Sequence, residues 1–558
     1  MKVNFEFLPE KIKNLLYEYM KLETFTGTPK ERLVEDFFLT HFQHIPYFIE
    51  NPDHFGLYRI KGDVFNRAVC WAMIKGKKNP ENAVVLIHHY DVVGIEDFKN
   101  LKDYAFYPDV LEAELLKNPD MLHQEAKDDL LSGEYIFGKG GCDMKAGGSI
   151  QYTLLEEYSK IDDFSGTVIV ISVPDEENLS AGMRGAAVLL SELKEKHGFN
   201  YKLMINSEPH QRKNPKNGIY SLGSVGKLLP FVYVRGYMSH AGKVFEGLNP
   251  DNIMSEIIRR TELNMEFSDV VGNECSPPPT WLYVKDSKEI YDVSMPISAY
   301  GCLSVLTLTS TPSDILQKIR TICKESFDKV INEMNLSYSE FRKRRGQSEE
   351  SLPWKSSVNT FLELKKEAEK SVGEGFENIY LTKFNEVKEK FNDGKYTVID
   401  ANLKLVEFLF DLVEDTNPRI VYGLVPPYYP CTSNIEYEKK DEKIRELTNV
   451  LNRFTMNEFD QMYDREYFFT GISDLSYVDM AEPEKTRYAI EESMPLFGEL
   501  YDIPFEEIHN ISMPMINIGP WGKDFHKLTE RVLREDALYR TPRILNRAIE
   551  FILEDPMK

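Results

Sequence analysis

The fold of this chain is decided by residues 168–177, whose sequence is VIVISVPDEE. Six consecutive apolar or small residues are typical of a strand that is buried on both faces of a parallel sheet. Three acids follow Pro174, and burying them near a core would be costly without compensating cations. Ligand sites of open parallel sheets lie outside the carboxyl ends of the strands. The stretch therefore predicts an α/β sheet with a cation site at this strand end.

Four further segments bring a metal-ligand side chain to the end of an apolar run or a glycine-rich turn. In chain order they contain His89 with Asp91, Asp143, Glu208 and His526. His89 and Asp91 are two residues apart and share a face of an extended segment, so Asp91 can support a ligating imidazole. His88 points to the opposite face, which favours packing. Glu176 and Glu177 point apart, so one can bind metal while the other takes a proton from the attacking water.

Each segment by itself also has an ordinary structural interpretation. His89 could be a satisfied core histidine, residues 175–177 an acidic surface loop, and His526 a surface histidine on a helix. The glycine-rich turn at 138–141 could bind phosphate, although it matches neither a P-loop nor a dinucleotide fingerprint. All of these interpretations would have to hold at once, so the pattern as a whole favours a metal site. Imidazoles with carboxylates suit zinc, with manganese or cobalt as alternatives.

Composition narrows the class of protein. The 558 residues are 42% hydrophobic, enough for two or more domains. A net charge of −23 argues against nucleic acid or an anionic membrane as main partner. No apolar run approaches the roughly 20 residues of a membrane span, and residues 1–7 lack the apolar core of a secretion signal. The six cysteines form no CxxC pair, so we expect reduced thiols and a cytoplasmic protein.

The order of predicted elements indicates an interrupted catalytic domain. Strand-like runs alternate with helical stretches, which predicts a mainly parallel, doubly wound sheet; the runs are 68–74, 84–89, 167–173 and 202–206. A two-layer α/β domain is predicted to be inserted, so that residues 1–216 and 431–558 form the catalytic domain and 217–430 the insertion. Within it, 335–417 is charged and helix-prone. The prolines at 426–430 suggest a hinge.

Taken together, these motifs resemble the co-catalytic metallohydrolases that include acetylornithine deacetylase, succinyl-diaminopimelate desuccinylase, aminoacylase and carboxypeptidase G. The resemblance rests on an HxD motif, a glycine-rich GxGxxDxKxG motif, a DEE motif, an EP motif and a late histidine. These are residues 89–91, 138–147, 175–177, 208–209 and His526. Residues 471–474 also resemble the GxTD turn of that family. The motifs occur in the family's order and span nearly the whole chain.

The resemblance implies a role for each matched residue. His89 and Glu208 would bind one metal, Glu177 and His526 the other, and Asp143 would bridge the two. Glu176 would be the general base and Asp91 the carboxylate behind His89. The insertion would be the family's lid, which often mediates dimerisation. In it, His240 would stabilise the oxyanion and Asn249 would contact substrate.

The long lid makes the chain most similar to the arginine-utilisation branch, the RocB-type proteins. The resemblance implies hydrolysis of a linear amide bond in a small amino-acid derivative, with a role in arginine or ornithine catabolism. A ureidohydrolase acting on citrulline-like compounds and a non-catalytic relative that binds amino-acid derivatives stay open as alternatives. The D-x-R segment that often recognises a substrate carboxylate reads Thr307-Leu308-Thr309 here.

Overall fold

The computed structural model describes residues 3–212 and 216–554. The chain forms two compact units. After the roles predicted for them, we call residues 1–225, 430–480 and 504–558 the catalytic unit and residues 226–429 and 481–503 the lid unit. The first boundary lies nine residues after the predicted one, and residues 481–503 join the lid unit rather than the catalytic one. This segment contributes the helix Pro483–Ser493, which packs on the lid sheet and is separated in sequence from the rest of that unit.

The catalytic unit is built on an eight-stranded mixed sheet. Its central strands pair in parallel, Lys78–His89 between Ser165–Val173 and Asn200–Asn206, with Met515–Asn517 next to the last of these. Antiparallel pairing occurs further out, at both sides of this parallel centre. The order across the sheet is Phe55–Arg59, Ala68–Lys75, Ser165–Val173, Lys78–His89, Asn200–Asn206, Met515–Asn517, Gly218–Ser221, Tyr463–Glu466. The predicted α/β class with its parallel centre is confirmed.

Helices cover both faces of this sheet, which makes the unit doubly wound. Ala146–Tyr158 and Thr541–Leu553 pack on one face, where alternate strand residues such as Leu86 and Val170 join one large apolar cluster. Ala181–His197 packs with Phe505–Ile511 on the opposite face. The remaining α-helices of this unit are Leu8–Met20, Leu33–Phe42, Pro46–Glu50, Pro108–Lys117, Gln124–Ser132, Ile435–Lys440 and Glu442–Phe459.

One close helix contact depends on glycine. The helix Ala146–Tyr158 begins AGGS, and a Cβ added at Gly148 would lie 2.5 Å from the His88 ring. His88 is fully buried, and its ring nitrogens contact Gln151 at 2.9 Å and Tyr19 at 3.4 Å. Burial lowers the pKa of His88 to about 3, so the ring is neutral. The predicted packing role of His88 is therefore confirmed.

The lid unit contains a five-stranded sheet whose order is Thr280–Asp286, Ser298–Thr307, Gly226–Arg235, Arg419–Tyr429, Val358–Thr360. The helices Pro250–Thr261 and Pro312–Arg344 pack on this sheet and on each other, and form the predicted two-layer core. The predicted helix-prone segment 335–417 adds three more helices, Phe361–Val372, Phe376–Asn392 and Val398–Leu412. These form an apolar cluster with Phe231, Tyr233 and Val421 of the sheet. They are a third layer on the lid.

The proline-rich end of the lid sheet is a strand and not a free hinge. Pro426 and Pro427 lie inside Arg419–Tyr429, where every residue is buried. Pairing with the neighbouring strand is regular up to Val425 and resumes only at Tyr429. Proline lacks the N–H that a regular ladder requires, which accounts for this irregular register.

Within the described ranges, none of the helices combines the length and the apolar character needed to cross a membrane.

We expect Gly148→Ala to destabilise the protein. In a helix, alanine is more favourable than glycine by about 1 kcal/mol. Overpacking a buried ring costs about 1–3 kcal/mol, and here hydrogen bonds hold the His88 ring in place on both sides. Denaturant unfolding should give a lower free energy of unfolding. The matched control is Gly56→Ala, where the added Cβ meets its nearest neighbour at 3.8 Å. A variant at 148 as stable as the control would contradict this packing argument.

Candidate metal centre

The Asp143 carboxylate lies between two imidazoles from distant parts of the chain. Its Oδ1 is 3.0 Å from Nε2 of His89, and its Oδ2 is 3.1 Å from Nε2 of His526. Nε2 of His526 is also 2.9 Å from Oε1 of Glu177, and Nε2 of His89 is 3.5 Å from Oε1 of Glu208. One carboxylate oxygen thus faces each imidazole, and each imidazole has its own second carboxylate.

The parallel centre of the sheet brings His89, Glu176 and Glu208 together. His89 ends the strand Lys78–His89 and is level with Val173 of the neighbouring strand, three residues before Glu176. On its other side this strand pairs with Asn200–Asn206, which leads directly to Glu208. Parallel neighbours end at the same edge of a sheet, so the ligands meet there. The predicted strand-end positions therefore converge on one site.

Asp91 holds the acidic turn in place. Its Oδ1 accepts a hydrogen bond from the backbone N–H of Glu176 at 3.1 Å, and its Oδ2 accepts one from Glu177 at 3.2 Å. The same carboxylate lies 3.6 Å from Nδ1 of His89, whose Nδ1 is also 3.1 Å from the Asp91 carbonyl oxygen. A contact on Nδ1 orients the ring so that Nε2 faces the other ligands. Asp91 thus positions both the imidazole and the two glutamates.

Asp175, the first acid of the turn, has a protein cation as partner. Arg67 donates to Asp175 at 2.8 Å and to Glu31 at 2.7 Å, and all three side chains are buried. Glu31 also accepts the backbone N–H of Asp175 at 2.9 Å. Asp175 has a φ of 68°, a strained conformation for a non-glycine residue. The Arg67 network therefore stabilises the turn that presents Glu176 and Glu177.

Glu530 anchors the turn that carries Asp143. Its Oε1 accepts the backbone N–H groups of Cys142 and Asp143 at 3.2 and 3.3 Å, and Lys139 lies 3.4 Å from its other oxygen. Glu530 is fully buried. In the sequence it is visible only as an acid four residues after His526, and no local pattern signals its role. The contact spans 387 residues of sequence, so only the fold makes it visible.

The loop that carries His526 is also held by charges. Asp524 and His526 both have positive φ, 55° and 66°. The buried Arg531 donates to Asp524 at 2.5 Å and to Asp129 at 2.7 Å. Thr529 also donates to Asp524, at 2.9 Å. These contacts fix an otherwise strained backbone and leave the His526 ring half exposed.

The electrostatics of the centre favour the presence of positive charge. Burial raises the pKa values of Glu176 and Glu208 well above their usual range, and raises that of Glu177. Burial lowers the pKa of His89, but Glu208, Asp143 and Asp91 outweigh it, and the net shift is strongly upward. Hydrogen bonds to Asp143 and Glu177 raise the pKa of His526 to about 10. Protein groups alone therefore compensate the negative charge of these acids poorly. The raised pKa values of His89 and His526 favour the protonated, positively charged imidazoles.

Asp474, in the turn that resembles GxTD, adds a further acid. It is buried, and its Oδ1 has no hydrogen-bond partner among the residues that the structure describes. Burial, with a contribution from Asp91, raises its pKa to about 7. Its charge also contributes to the raised pKa values of Glu176 and Glu208, so it lies within electrostatic reach of them. The sequence singled out this turn without assigning Asp474 a role.

This donor set fits divalent cations. Ligand atoms of His89, Asp143 and Glu177 lie within 4.8 Å of one another, as do those of His89, Glu176 and Glu208. Imidazole nitrogen with carboxylate oxygen is a donor set for zinc and for other first-row divalent metals. Buried acids with raised pKa values gain most from cations in their midst.

The two remaining predicted residues, His240 and Asn249, belong to the lid unit. His240 is exposed, and its Nδ1 accepts the backbone N–H of Gly242 at 3.0 Å. Asn249 caps the helix Pro250–Thr261, because its side-chain oxygen accepts the N–H of Asp251 at 2.9 Å. This capping accounts for Asn249 locally, and its predicted substrate contact stays a prediction.

The fold and the paired-ligand centre define a class of protein, the metal-dependent hydrolases with an inserted lid. The profile of Peptidase family M20/M25/M40 matches residues 120–550, more than three quarters of the chain. The chain therefore belongs to this family, and the resemblance drawn from the sequence is confirmed.

Two full-length relatives come from Bacillus subtilis (strain 168). YqjN, described as uncharacterized, is 31% identical over 554 residues, covering 98% of this chain and 97% of its own. Protein RocB is 27% identical over 550 residues, covering 98% of this chain and 95% of its own length. Human carnosine dipeptidase 1 shares the fold, with a TM-score of 0.53 at 10% identity over 98% of this chain and 97% of its own. The predicted similarity to RocB-type proteins is thus confirmed.

We expect stabilisation by metal to increase with pH. The folded-state pKa values of Glu176, Glu208, His89 and His526 are all raised, so the stability these groups contribute without metal is present at low pH and is lost as pH rises through those values. Bound cations favour the deprotonated ligands, with the opposite dependence on pH. The gain in Tm on adding zinc to chelator-treated protein should therefore be larger at about pH 9 than at about pH 6.

Calorimetry with and without zinc across this range measures the gain in Tm directly. The variant Asp36→Asn, which changes an exposed carboxylate on the helix Leu33–Phe42, should show the same dependence as the unaltered chain. A gain that is constant or shrinks as pH rises would contradict the electrostatic account of the centre.

Proposed function

We propose that this protein hydrolyses a linear amide C–N bond, N-acyl or peptide, in a small amino-acid derivative. One observation carries the proposal: Asp143 contacts His89 through one oxygen and His526 through the other. A carboxylate placed in this way can bridge two cations. In such paired sites, divalent cations about 3.5–4 Å apart activate water and polarise the bond under attack.

Within this proposal the ligands divide into two sets that share Asp143. His89 and Glu208 would hold one cation, and Glu177 and His526 the other. We take the cations to be zinc, with manganese or cobalt as alternatives on the same donor chemistry. Bound metal would keep these carboxylates ionised despite their burial.

Glu176 is the proposed general base. Its carboxylate lies within 4.8 Å of the ligand atoms of His89 and Glu208. The carboxylates that contact the two imidazoles at 3.5 Å or less are instead those of Asp143, Glu177 and Glu208. Burial raises the pKa of Glu176 well above the usual range, which suits a group that takes a proton and later returns it. Glu176 would accept the proton of the attacking water and pass it to the leaving nitrogen.

His240 is the proposed oxyanion donor, on the strength of the family resemblance. Because its Nδ1 accepts the N–H of Gly242, a neutral ring carries its proton on Nε2. The ring then offers an Nε2–H donor, which is the group needed to stabilise negative charge on a carbonyl oxygen.

The substrate class is a finer proposal. Similarity to RocB over nearly the whole chain supports a role in arginine or ornithine catabolism. A ureidohydrolase acting on a citrulline-like compound is the alternative, since the metal centre would serve an acyl and a carbamoyl carbon alike. A non-catalytic binding protein is the other alternative. The retention of Glu176 beside the ligand set favours catalysis over it.

We also propose that the lid mediates a homodimer. The strand Thr280–Asp286 lies at the edge of the lid sheet and exposes Leu282 and Val284 by 56% and 50%. An edge strand that presents apolar side chains is suited to pairing with a second copy.

We expect Glu176→Gln to keep its metal and lose most of its turnover. Glutamine preserves the shape but cannot accept the proton, so kcat should fall by about 10²–10⁴-fold. Metal content by elemental analysis should match that of the unaltered protein. The assay uses a panel of N-acyl amino acids, dipeptides and ureido amino acids, which also separates the amide from the ureido alternative.

Glu195→Gln serves as the control, since Glu195 is an exposed residue of the helix Ala181–His197. It should have unchanged kcat. Near-normal turnover in Glu176→Gln would remove Glu176 from the role of base. Full activity of the unaltered protein after exhaustive chelation would overturn the proposed function as a whole.

A further inference from the structure

The segment that carries His240 has little packing of its own. We call residues 237–246 the His240 loop; each of its residues is exposed or only partly buried. It contains one irregular helical turn, Ala241–Glu246, whose backbone departs from helical angles at Lys243. A loop with so few buried groups would sample many conformations unless other parts of the lid hold it.

One side of the loop is held by the backbone of a neighbouring segment. Ala241 donates its N–H to the Val293 carbonyl at 2.7 Å, and Met295 donates to the Ser239 carbonyl at 3.0 Å. These bonds fix the chain directly before and after His240. They do not reach the far end of the loop, where Phe245 lies.

Aromatic side chains hold the other side. The Phe245 ring lies 5.0 Å from the ring of Tyr338 and 5.2 Å from that of Phe341, measured between centroids. At the start of the loop, Tyr237 lies 5.1 Å from Trp354. Aromatic pairs at such distances contribute about 0.5–1.5 kcal/mol each beyond their buried area. Both ends of the loop are thus packed against residues 338–354.

The segment that supplies these rings is itself well fixed. Tyr338 and Phe341 lie in the last ten residues of the helix Pro312–Arg344, which we call the helix extension. The chain then turns back, and Leu352 donates its N–H to the side chain of Asn335 at 2.8 Å. Arg342 pairs with Glu350 at 2.7 Å across the turn. The extension therefore offers a rigid surface rather than a second mobile loop.

We propose that Phe245 and Tyr237, packed against Tyr338, Phe341 and Trp354, form an aromatic brace that positions His240 for the reaction. This inference rests on the proposed role of His240 as oxyanion donor. The five aromatic residues are positioning residues, since they act through the loop and not on substrate. Residues 338–354, near the start of the helix-prone segment 335–417 of the lid, thereby contribute to turnover.

A double-mutant cycle tests whether the brace acts through His240. We expect Phe245→Ala and Trp354→Ala each to lower kcat by about 10-fold or more, with KM and metal content unchanged. In a His240→Ala background the same substitutions should cost nothing further, because the group they position is gone. Phe245→Tyr and Trp354→Phe keep an aromatic ring and should restore most of the turnover.

The matched control is Leu336→Ala. Leu336 lies in the same helix end and is 73% exposed. It should leave kcat unchanged in both backgrounds. An equal loss of kcat in the two backgrounds would mean a merely structural role and would overturn the proposal, as would normal turnover in Phe245→Ala and Trp354→Ala.

Limited trypsin digestion tests the brace without reference to catalysis. Lys243 is exposed within the loop, so loss of the brace should speed cleavage after Lys243 in Phe245→Ala and leave it unchanged in Leu336→Ala. An unchanged cleavage rate in Phe245→Ala would overturn the brace itself. Normal turnover in His240→Ala would instead refute the proposed role of His240, and the positioning role with it, while the cleavage rates still report whether the rings hold the loop.

Discussion

The structure depends on one constraint, the gathering of buried negative charge at the ends of parallel strands. Asp143 occupies its centre, with one oxygen toward His89 and the other toward His526. Burial raises the pKa values of Glu176 and Glu208 around it, so the centre is unfavourable for ionised acids until cations are bound. Much of the catalytic unit can be understood as support for this arrangement. That support is what allows the acids to stay close together.

The supporting contacts come from charged side chains that are not among the proposed metal ligands. Arg67 compensates Asp175, Glu530 holds the turn of Asp143 through its backbone, and Arg531 holds the loop of His526 through Asp524. Arg67, Glu530 and Arg531 are all buried. A buried ion pair gives little net stability but is costly to break, so it makes the geometry of a site specific. The strained backbone at Asp175, Asp524 and His526 persists because these pairs over-determine it.

The third layer of the lid unit is held by a different kind of contact, because its helices pack on the sheet through apolar side chains. Three helices of the segment 361–412 cover one face of its sheet with their own core, and the helix end before them reaches the His240 loop through aromatic rings. The sequence indicated helices there but not their partner. The spacing of apolar residues along a helix shows that it has an apolar face. Which surface covers that face depends on the tertiary path of the chain. The sheet residues that meet these helices, among them Phe231 and Val421, alternate with others that face the opposite layer.

By itself the sequence determined the α/β class, the inserted lid, the family and the set of acids and histidines that converge. It could do so because strand runs and the ligands that follow them are local patterns, and parallel strands must end at one edge. Only the tertiary structure decided which oxygen of Asp143 faces which imidazole, that Glu530 and Arg67 support the ligands, and that residues 481–503 belong to the lid unit. Those features are contacts between residues far apart in the chain, and no local spacing encodes them.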